Sequence, residues 1–230
     1  MNLFIYVEGQ EEEMFVNRVL RAHLSLFGVV VQKPVLAATR FRIGDDDSAE
    51  VTVGGGVTNY RAIRDDVLDQ FATADIAAAD ALTTLIDLYA LPATFPGSEE
   101  ATAQGLTGDK KALHIEQAWK ADIGRANFFP YIQVHEFEAL ILTRPSALME
   151  YYPEHASGIE RLRRECAPFP TPEDINEIKA TSPSHRILAR VPTYQKIDGF
   201  RHLQDIGLPE LKAHCPRFKE WIERCERSFR

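Results

Sequence analysis

The chain of 230 residues is 45% hydrophobic and 26% charged, a composition typical of a globular protein that buries a core. Its formal net charge of -8 argues against broad, sequence-independent binding of nucleic acid by the chain alone, although it leaves room for a local basic groove. The 3 cysteines are widely spaced and form no CxxC pair, which favours reduced thiols over a disulfide framework or a zinc site. The sequence shows no targeting segment and no apolar run near ~18 residues, so we expect a cytoplasmic protein without a membrane partner.

The chain begins with a pattern typical of a strand, a turn and a helix. Residues 3–7 (LFIYV) predict a buried strand because they are β-branched and aromatic, and apolar residues at helical spacing after Gly9 predict a helix. Glu8 thus stands at the carboxyl end of a predicted central strand, the edge at which ligands bind in open α/β sheets. Glu12 either reaches back to that edge or simply favours the helix dipole, and Glu11 and Glu13 are expected to face solvent.

Predicted strands and helices then alternate along the chain. We predict a second strand through residues 29–31 and 35–36, a helix over 60–71, a third strand over 81–86 that ends at Asp87, one helix over 98–121 capped by Ser98, and a fourth strand over 128–134. Residues 44–56, which include Asp45 to Asp47 and Gly54 to Gly56, predict an exposed loop. This alternation predicts a mostly parallel sheet that is covered by helices on both faces.

The pattern changes beyond residue 145, where prolines cluster and the predicted helices become short. We therefore predict an α/β domain over residues 1–145. Residues 146–230 are predicted to form a mostly helical extension that packs on this domain and has no separate function.

Carboxylates follow three of the four predicted strands, as Glu8, as Asp87, and as Glu136 with Glu138. Parallel strands end at one edge of a sheet, so these acids are expected to meet there. Buried acids that lie close together either bind protons or are neutralised by a cation, and hard oxygen ligands favour Mg²⁺, Mn²⁺ or Ca²⁺ over zinc. Ordinary alternatives stay open, because Asp87 could cap a turn and His135 could be a hydrogen-bonding partner.

Residues 7–15 (VEGQEEEMF) resemble the opening motif of the Toprim superfamily, particularly its branch in OLD-type (overcoming lysogenisation defect) nucleases. That motif consists of a hydrophobic strand, Glu-Gly, and an acid three residues past the glycine. Nearly the whole chain is similar to a bacterial family of small Toprim-like proteins of unassigned function. The further matching segments are Gly55-Gly56 with Tyr60, residues 84–89, 91–92, 95–97 and 135–139, Ser182 to Ser184 with Arg186, Tyr194 with Lys196 and Gly199, and residues 215–218 with Trp221.

The resemblance implies a doubly wound sheet with a metal site. Glu8 would be a general acid/base or a metal ligand, and Asp87 would be the first acid of an Asp-x-Asp motif that holds magnesium. The second acid of that motif is Tyr89 here, so Glu136 or Glu138 would have to replace the missing ligand. Similar proteins occur beside an ATPase with an ABC-like head in anti-phage systems, which makes such an ATPase an expected partner.

These observations predict a metal-dependent, nuclease-like Toprim protein that acts on phosphodiesters of DNA or RNA as a phage-defence effector. The expected ligands of Mg²⁺ (or Mn²⁺) are Glu8, Asp87, Glu136 and Glu138, and the expected catalytic residues are Glu8, Glu12, Arg186 and Lys196. The two basic residues would contact phosphate, unless they form surface salt bridges. Two alternatives remain, a non-catalytic Toprim-fold subunit that regulates a partner ATPase and a phosphate-transfer enzyme that acts on a small nucleotide.

Overall fold

The computed structural model describes residues 1–42, 50–54, 59–74, 76–175 and 179–227. The strands are β1 (Asn2–Val7), β2 (Val30–Val31), β3 (Val35–Leu36), β4 (Ala38–Arg42), β5 (Glu50–Gly54), β6 (Ala81–Asp87), β7 (Phe128–Phe129) and β8 (Ile132–Gln133). The α-helices are α1 (Gln10–Phe15), α2 (Arg21–Ser25), α3 (Tyr60–Thr73), α4 (Ser98–Ala103), α5 (Gly108–Ile123), α6 (Ala156–Cys166), α7 (Pro183–Arg190), α8 (Gly199–Ile206), α9 (Leu208–His214) and α10 (Pro216–Glu226). A π-helical segment, Val16–Leu20, joins α1 to α2, and short 3-10 helices occupy much of the chain between residues 137 and 155.

The main sheet is parallel, as predicted. β1 pairs with β2 and β3 on one side and with β6 on the other, and β6 pairs in turn with β7 and β8. β1 and β6 are therefore the central strands, and both end at the same edge of the sheet. The α/β fold with a largely helical C-terminal region is confirmed.

Three boundary predictions were wrong. Part of the loop predicted over 44–56 is a strand, because residues 50–54 form β5 antiparallel to β4, and the run Val51 to Val53 is β-branched. Residues 43–49 and 55–58, which include Asp45 to Asp47, Gly55 and Gly56, lie outside the described residues. The single helix predicted over 98–121 is two helices, because Gly105 adopts a left-handed φ of 64° between α4 and α5. The N-cap of α4 is Gly97 rather than Ser98. The fourth strand is interrupted at Pro130, which has no N–H to donate to the sheet.

A hydrophobic core covers each face of the sheet, because successive side chains of a strand point to opposite faces. In β1, Leu3, Ile5 and Val7 belong to the first core, whereas Tyr6 belongs to the second. The second core is completed by α3 and α5, mainly by Val67 and Trp119.

The C-terminal helices complete the first core. Phe218 of α10 packs against Phe15 of the first helix at a ring distance of 6.1 Å. Trp221 donates a hydrogen bond of 2.9 Å from Nε1 to Thr83 Oγ1 in the central strand β6. The C-terminal region thus contacts the strand that carries Asp87, although the predicted domain boundary at residue 145 stays a prediction. No helix in the described part of the chain is long and apolar enough to cross a membrane.

Candidate active site at the carboxyl edge of the sheet

Glu8 and Asp87 meet where the two central strands end. Residue Val7 is in register with Leu85, and the backbone N–H of Glu8 continues the pairing to the Leu85 carbonyl at 3.2 Å. The Glu8 side chain then turns towards β6, where its Oε2 accepts a hydrogen bond of 3.0 Å from the backbone N–H of Asp87. The Oδ1 atom of Asp87 is buried and accepts no hydrogen bond from a described residue.

The first helix contributes Glu12 and Glu11. Glu12 is buried and reaches back to the turn after β1, since its Oε2 accepts a hydrogen bond of 2.9 Å from the backbone N–H of Gly9. The expectation that Glu11 faces solvent was wrong, because its side chain is buried to 8% exposure. It is covered by α8, where a Cβ atom on Gly199 would lie only 1.6 Å from Glu11 Oε1. Glu13 is partly buried.

The segment after β8 contributes Glu138, while Glu136 is held to one side. Glu138 is 1% exposed, and its Oε1 lies 2.8 Å from the ammonium group of Lys196. Glu136 is partly buried, and its Oε2 accepts a hydrogen bond of 2.9 Å from the backbone N–H of Ser184. The two acids diverge because a 3-10 helix begins at Phe137, immediately between them.

Burial and mutual repulsion make this group of acids hard to ionise. We call Glu8, Glu11, Glu12, Asp87 and Glu138 the acidic cluster. Burial raises the pKa of each of these side chains, and repulsion from other members of the cluster adds to the rise for Glu8, Glu11, Glu12 and Asp87. The pKa of Glu12 is raised to about 7 by burial and by the charge of Glu8. Burial by itself lowers the pKa of Lys196, but the attraction of Glu138, Glu136 and Asp87 prevails and raises it.

The donor chemistry of the acidic cluster fits a hard divalent cation. The buried Oδ1 atom of Asp87 has no hydrogen-bond donor among the described residues. No three His, Cys, Asp or Glu side chains of the described ranges are arranged to ligate one metal ion. Magnesium typically keeps several waters and takes only one or two carboxylates, so a pair such as Glu8 and Asp87 is sufficient for it.

The other predicted residues lie around the acidic cluster or away from it. Tyr89 is 40% exposed, and its ring centroid lies 5.4 Å from that of His135. Burial lowers the pKa of His135, whose backbone has a positive φ of 65°. Arg186 donates a hydrogen bond of 2.7 Å from Nε to the Thr181 carbonyl and covers the Phe169 ring, so its described contacts do not join it to the acids.

Three residues of the site were not predicted, namely Glu11 in the acidic cluster and Tyr194 and Gly199 beside it. Tyr194 is buried, and its hydroxyl and the Glu11 carboxyl both adjoin Gly199. The resemblance singles out Tyr194, Lys196 and Gly199 as one set, which is the signal that could have found two of them. Glu11 gave no such signal, since the residues that cover it are almost 190 positions away in the sequence.

Comparison with known proteins gives a family but no activity. Residues 7–226 match the model of a family described as "Domain of unknown function (DUF4276)", and the chain belongs to that family. No curated protein matches the chain. No solved structure matches it either.

Proposed function

We propose that this family member is a metal-dependent, nuclease-like protein of Toprim type that hydrolyses phosphodiesters of nucleic acid at the acidic cluster. The observation that supports the proposal most is the pair formed by Glu8 and Asp87 at the ends of two neighbouring parallel strands. Structural carboxylates that are buried usually have their oxygens satisfied by hydrogen bonds, whereas Asp87 Oδ1 has no such donor among the described residues. Perturbed acids at the carboxyl edge of an α/β sheet are typical of a functional site.

The residues of the acidic cluster would have two roles, metal binding and general base catalysis. Glu8 and Asp87 would hold Mg²⁺ or Mn²⁺, and water would fill the coordination position that the motif leaves open at Tyr89. When bound, such an ion activates water and offsets the charge of the scissile phosphate. Glu12 is the proposed general base, because a carboxyl with a pKa of about 7 both accepts and releases a proton near neutral pH.

Lys196 is the proposed phosphate-binding residue. Its side chain is 58% exposed although its ammonium contacts the buried Glu138. It can therefore reach a substrate from solvent while it stays tied to the acidic cluster. An ammonium at this place stabilises negative charge that develops on a phosphate oxygen.

A non-catalytic subunit that binds and regulates an ABC-like ATPase is the second candidate. It is favoured by the ion pair between Lys196 and Glu138, which already gives one acid a cation, and by Tyr89 in place of an acid. The ATPase partner, the role in phage defence and the cytoplasmic location remain proposals. The free and buried state of Cys166, Cys215 and Cys225 is compatible with a reducing compartment.

Cleavage assays separate the two candidates. The purified protein, alone and with a neighbouring ATPase, is incubated with Mg²⁺ or Mn²⁺ and single- or double-stranded DNA and RNA. We expect metal-dependent cleavage that Glu8→Gln and Asp87→Asn abolish and that Glu154→Gln, an exposed acid elsewhere, leaves unchanged. Absence of cleavage under all these conditions, or normal cleavage by both variants, contradicts a catalytic function.

A further inference from the structure

A groove opens in the segment after β6, and one of its lining residues, Leu88, directly follows Asp87. It has a volume of about 560 Å³, which is in the range of sites for small ligands. The residues that line it are Leu88, Leu91, Pro92, Ala93, Ser98, Glu99, Thr102, Ala103, Lys111 and Ile115. They come from the turn after β6, from α4 and from the first half of α5.

The wall of this groove is mostly apolar. Aliphatic side chains and a proline provide most of it, and polar groups come from Ser98, Thr102, Glu99 and Lys111. The one acid and the one base in the lining give it little net charge. A ligand would therefore be held mainly by apolar contact and only secondarily by charge.

Tyr89 lies at the boundary between the groove and the acidic cluster. Its neighbours Leu88 and Leu91 line the groove, while its own ring packs against His135. The backbone N–H of Tyr89 donates a hydrogen bond of 3.2 Å to the carbonyl of His135, the residue before Glu136, and Asp87 lies two residues before Tyr89. Its 40% exposure leaves part of the aromatic surface open to solvent.

We propose that Tyr89 and the adjoining groove bind unpaired nucleobases of a single-stranded nucleic acid, next to the phosphodiester held at the acidic cluster. The identity of the ligand rests on the proposed function. Each base of an unpaired strand offers a flat apolar face that stacks on an aromatic ring, whereas bases in a duplex are already stacked on their neighbours. The inference also gives a role to the tyrosine that stands where the Toprim motif has its second acid.

The charge of the chain favours this mode of binding. A net charge of -8 disfavours capture of nucleic acid through many phosphates, so contacts with the bases would have to add to the single phosphate contact proposed for Lys196. Binding through bases predicts a weak dependence on salt concentration, because few counterions are released.

Fluorescence anisotropy with labelled oligonucleotides of equal length tests this inference on the full chain, with Ca²⁺ or EDTA in place of a catalytic metal. Single-stranded DNA and RNA are compared with an abasic strand and with a duplex. We expect the base-bearing single strands to bind about tenfold more tightly than the abasic strand, the gain typical of one stacked base. Tyr89→Ala should remove this tenfold preference and Tyr89→Phe should keep it.

Phe27→Ala is the matched control, because Phe27 is an aromatic residue of similar exposure, 45%, in the turn after α2. It should leave the affinity unchanged. Ala103→Glu is a second groove variant at an exposed position, where a new carboxylate should weaken binding of the strand without disturbing the core.

Several results would overturn the inference. These are equal affinities for base-bearing and abasic strands, no binding of any oligonucleotide, or a Tyr89→Ala variant that behaves like Phe27→Ala. A Tyr89→Ala variant that keeps its nucleic-acid affinity but loses a partner ATPase would assign the surface to a protein instead. Base-dependent binding without cleavage would contradict the proposed nuclease and leave this inference standing, whereas cleavage without base dependence would do the reverse.

Discussion

Two groups of buried carboxylates in this molecule differ in how their oxygens are satisfied. The first is the acidic cluster at the edge of the sheet. The second, which we call the Arg217 cluster, consists of Arg217 with the mostly buried acids Glu116 and Glu173 and the exposed Asp109, and it joins α5 to α10. In both groups burial raises carboxyl pKa values, to about 7 for Glu12 in the first and for Glu116 in the second.

The carboxylates of the Arg217 cluster all have donors. Glu116 Oε1 lies 2.5 Å from Arg217 Nη2 and also accepts a hydrogen bond of 2.7 Å from the backbone N–H of Ile132. The oxygens of Glu173 accept hydrogen bonds of 3.0 Å from the backbone N–H groups of Arg217 and Phe218. Asp109 lies 3.1 Å from Arg217 Nη1. Arg217 Nε has no acceptor among the described residues, but every carboxyl group of the cluster has a donor, and this pattern is that of a structural connection.

The acidic cluster has five carboxylates and one contacting ammonium, that of Lys196, among the described residues. One of its buried oxygens, Asp87 Oδ1, has no donor there. A shifted pKa alone therefore does not separate the two groups, whereas an unsatisfied carboxylate oxygen does. The comparison predicts that neutralising an acid harms activity in the acidic cluster and that removing the cation harms stability in the Arg217 cluster.

The largest effect is expected on activity. Glu8→Gln and Asp87→Asn should each reduce cleavage by about a hundredfold or more, because a metal ligand is worth several kcal/mol of transition-state stabilisation. Neither change should lower the free energy of unfolding at pH 8, since each removes a buried charge from a repelling group. Denaturant titration beside the cleavage assay measures both quantities, and a loss of stability with no loss of activity would make the acidic cluster structural.

Arg217→Met should have the largest effect on stability. It leaves Glu116 buried without its cation, a change that typically costs about 3–5 kcal/mol of unfolding free energy. Urea denaturation measures the loss. Arg163→Met, which breaks an exposed pair with Glu160, is the control and should change little. A similar small change for both variants would show that the Arg217 cluster is not the structural connection that its geometry indicates.

Gly199→Ala should have a moderate effect that depends on Glu11. The new Cβ would meet Glu11 Oε1 at 1.6 Å, and overpacking of this kind costs about 1–3 kcal/mol. Glu11→Ala removes the side chain that the new Cβ would meet. In the Glu11→Ala background, Gly199→Ala should therefore lower the free energy of unfolding much less than it does in the wild-type chain. Chemical denaturation of the four proteins in this cycle measures the coupling, and additive effects would mean that the two residues do not touch.

The smallest effect is a pH dependence of the melting temperature. The pKa of Glu12 is about 7 in the folded chain and 4.5 as a reference, so folding favours the protonated form. Its raised pKa does not affect stability below about pH 4.5, lowers the free energy of unfolding as the pH rises from about 4.5 to about 7, and adds no further change above that. We expect Tm to fall between pH 5.5 and pH 8, by about 2–4 °C for each kcal/mol of unfolding free energy that is lost. Glu12→Gln should reduce this slope of Tm against pH. Some slope should persist because the pKa of Glu116 is also about 7. A Glu12→Gln variant with the full slope would contradict the shift.

The sequence predicts the parallel sheet well, because residues 3–7 and 81–86 are short apolar runs followed by an acid or a glycine. It also predicts that Glu8 and Asp87 lie at one edge, since that follows from parallel pairing alone. It does not predict the break in the helix after residue 98, because Gly105 inside a helical pattern is only a weak signal until its positive φ is known.

The parts of the site that escaped prediction depend on contacts between distant segments. Glu11 has the local pattern of an exposed helix residue, and it is buried only because Gly199 lets α8 approach closely. Glu136 and Glu138 are equivalent by spacing, and the 3-10 helix that begins at Phe137 separates them. Of these two acids, Glu138 is the one that forms the ion pair with Lys196.

Isothermal titration calorimetry of Mn²⁺ binding at pH 8 tests the central claim most directly. The wild-type chain, Asp87→Asn and the exposed control Glu154→Gln are titrated under identical conditions. The account predicts saturable binding to the wild-type chain and to Glu154→Gln and its loss in Asp87→Asn. Absence of saturable binding to the wild-type chain, or binding that Asp87→Asn leaves unchanged, would contradict a metal site at the acidic cluster.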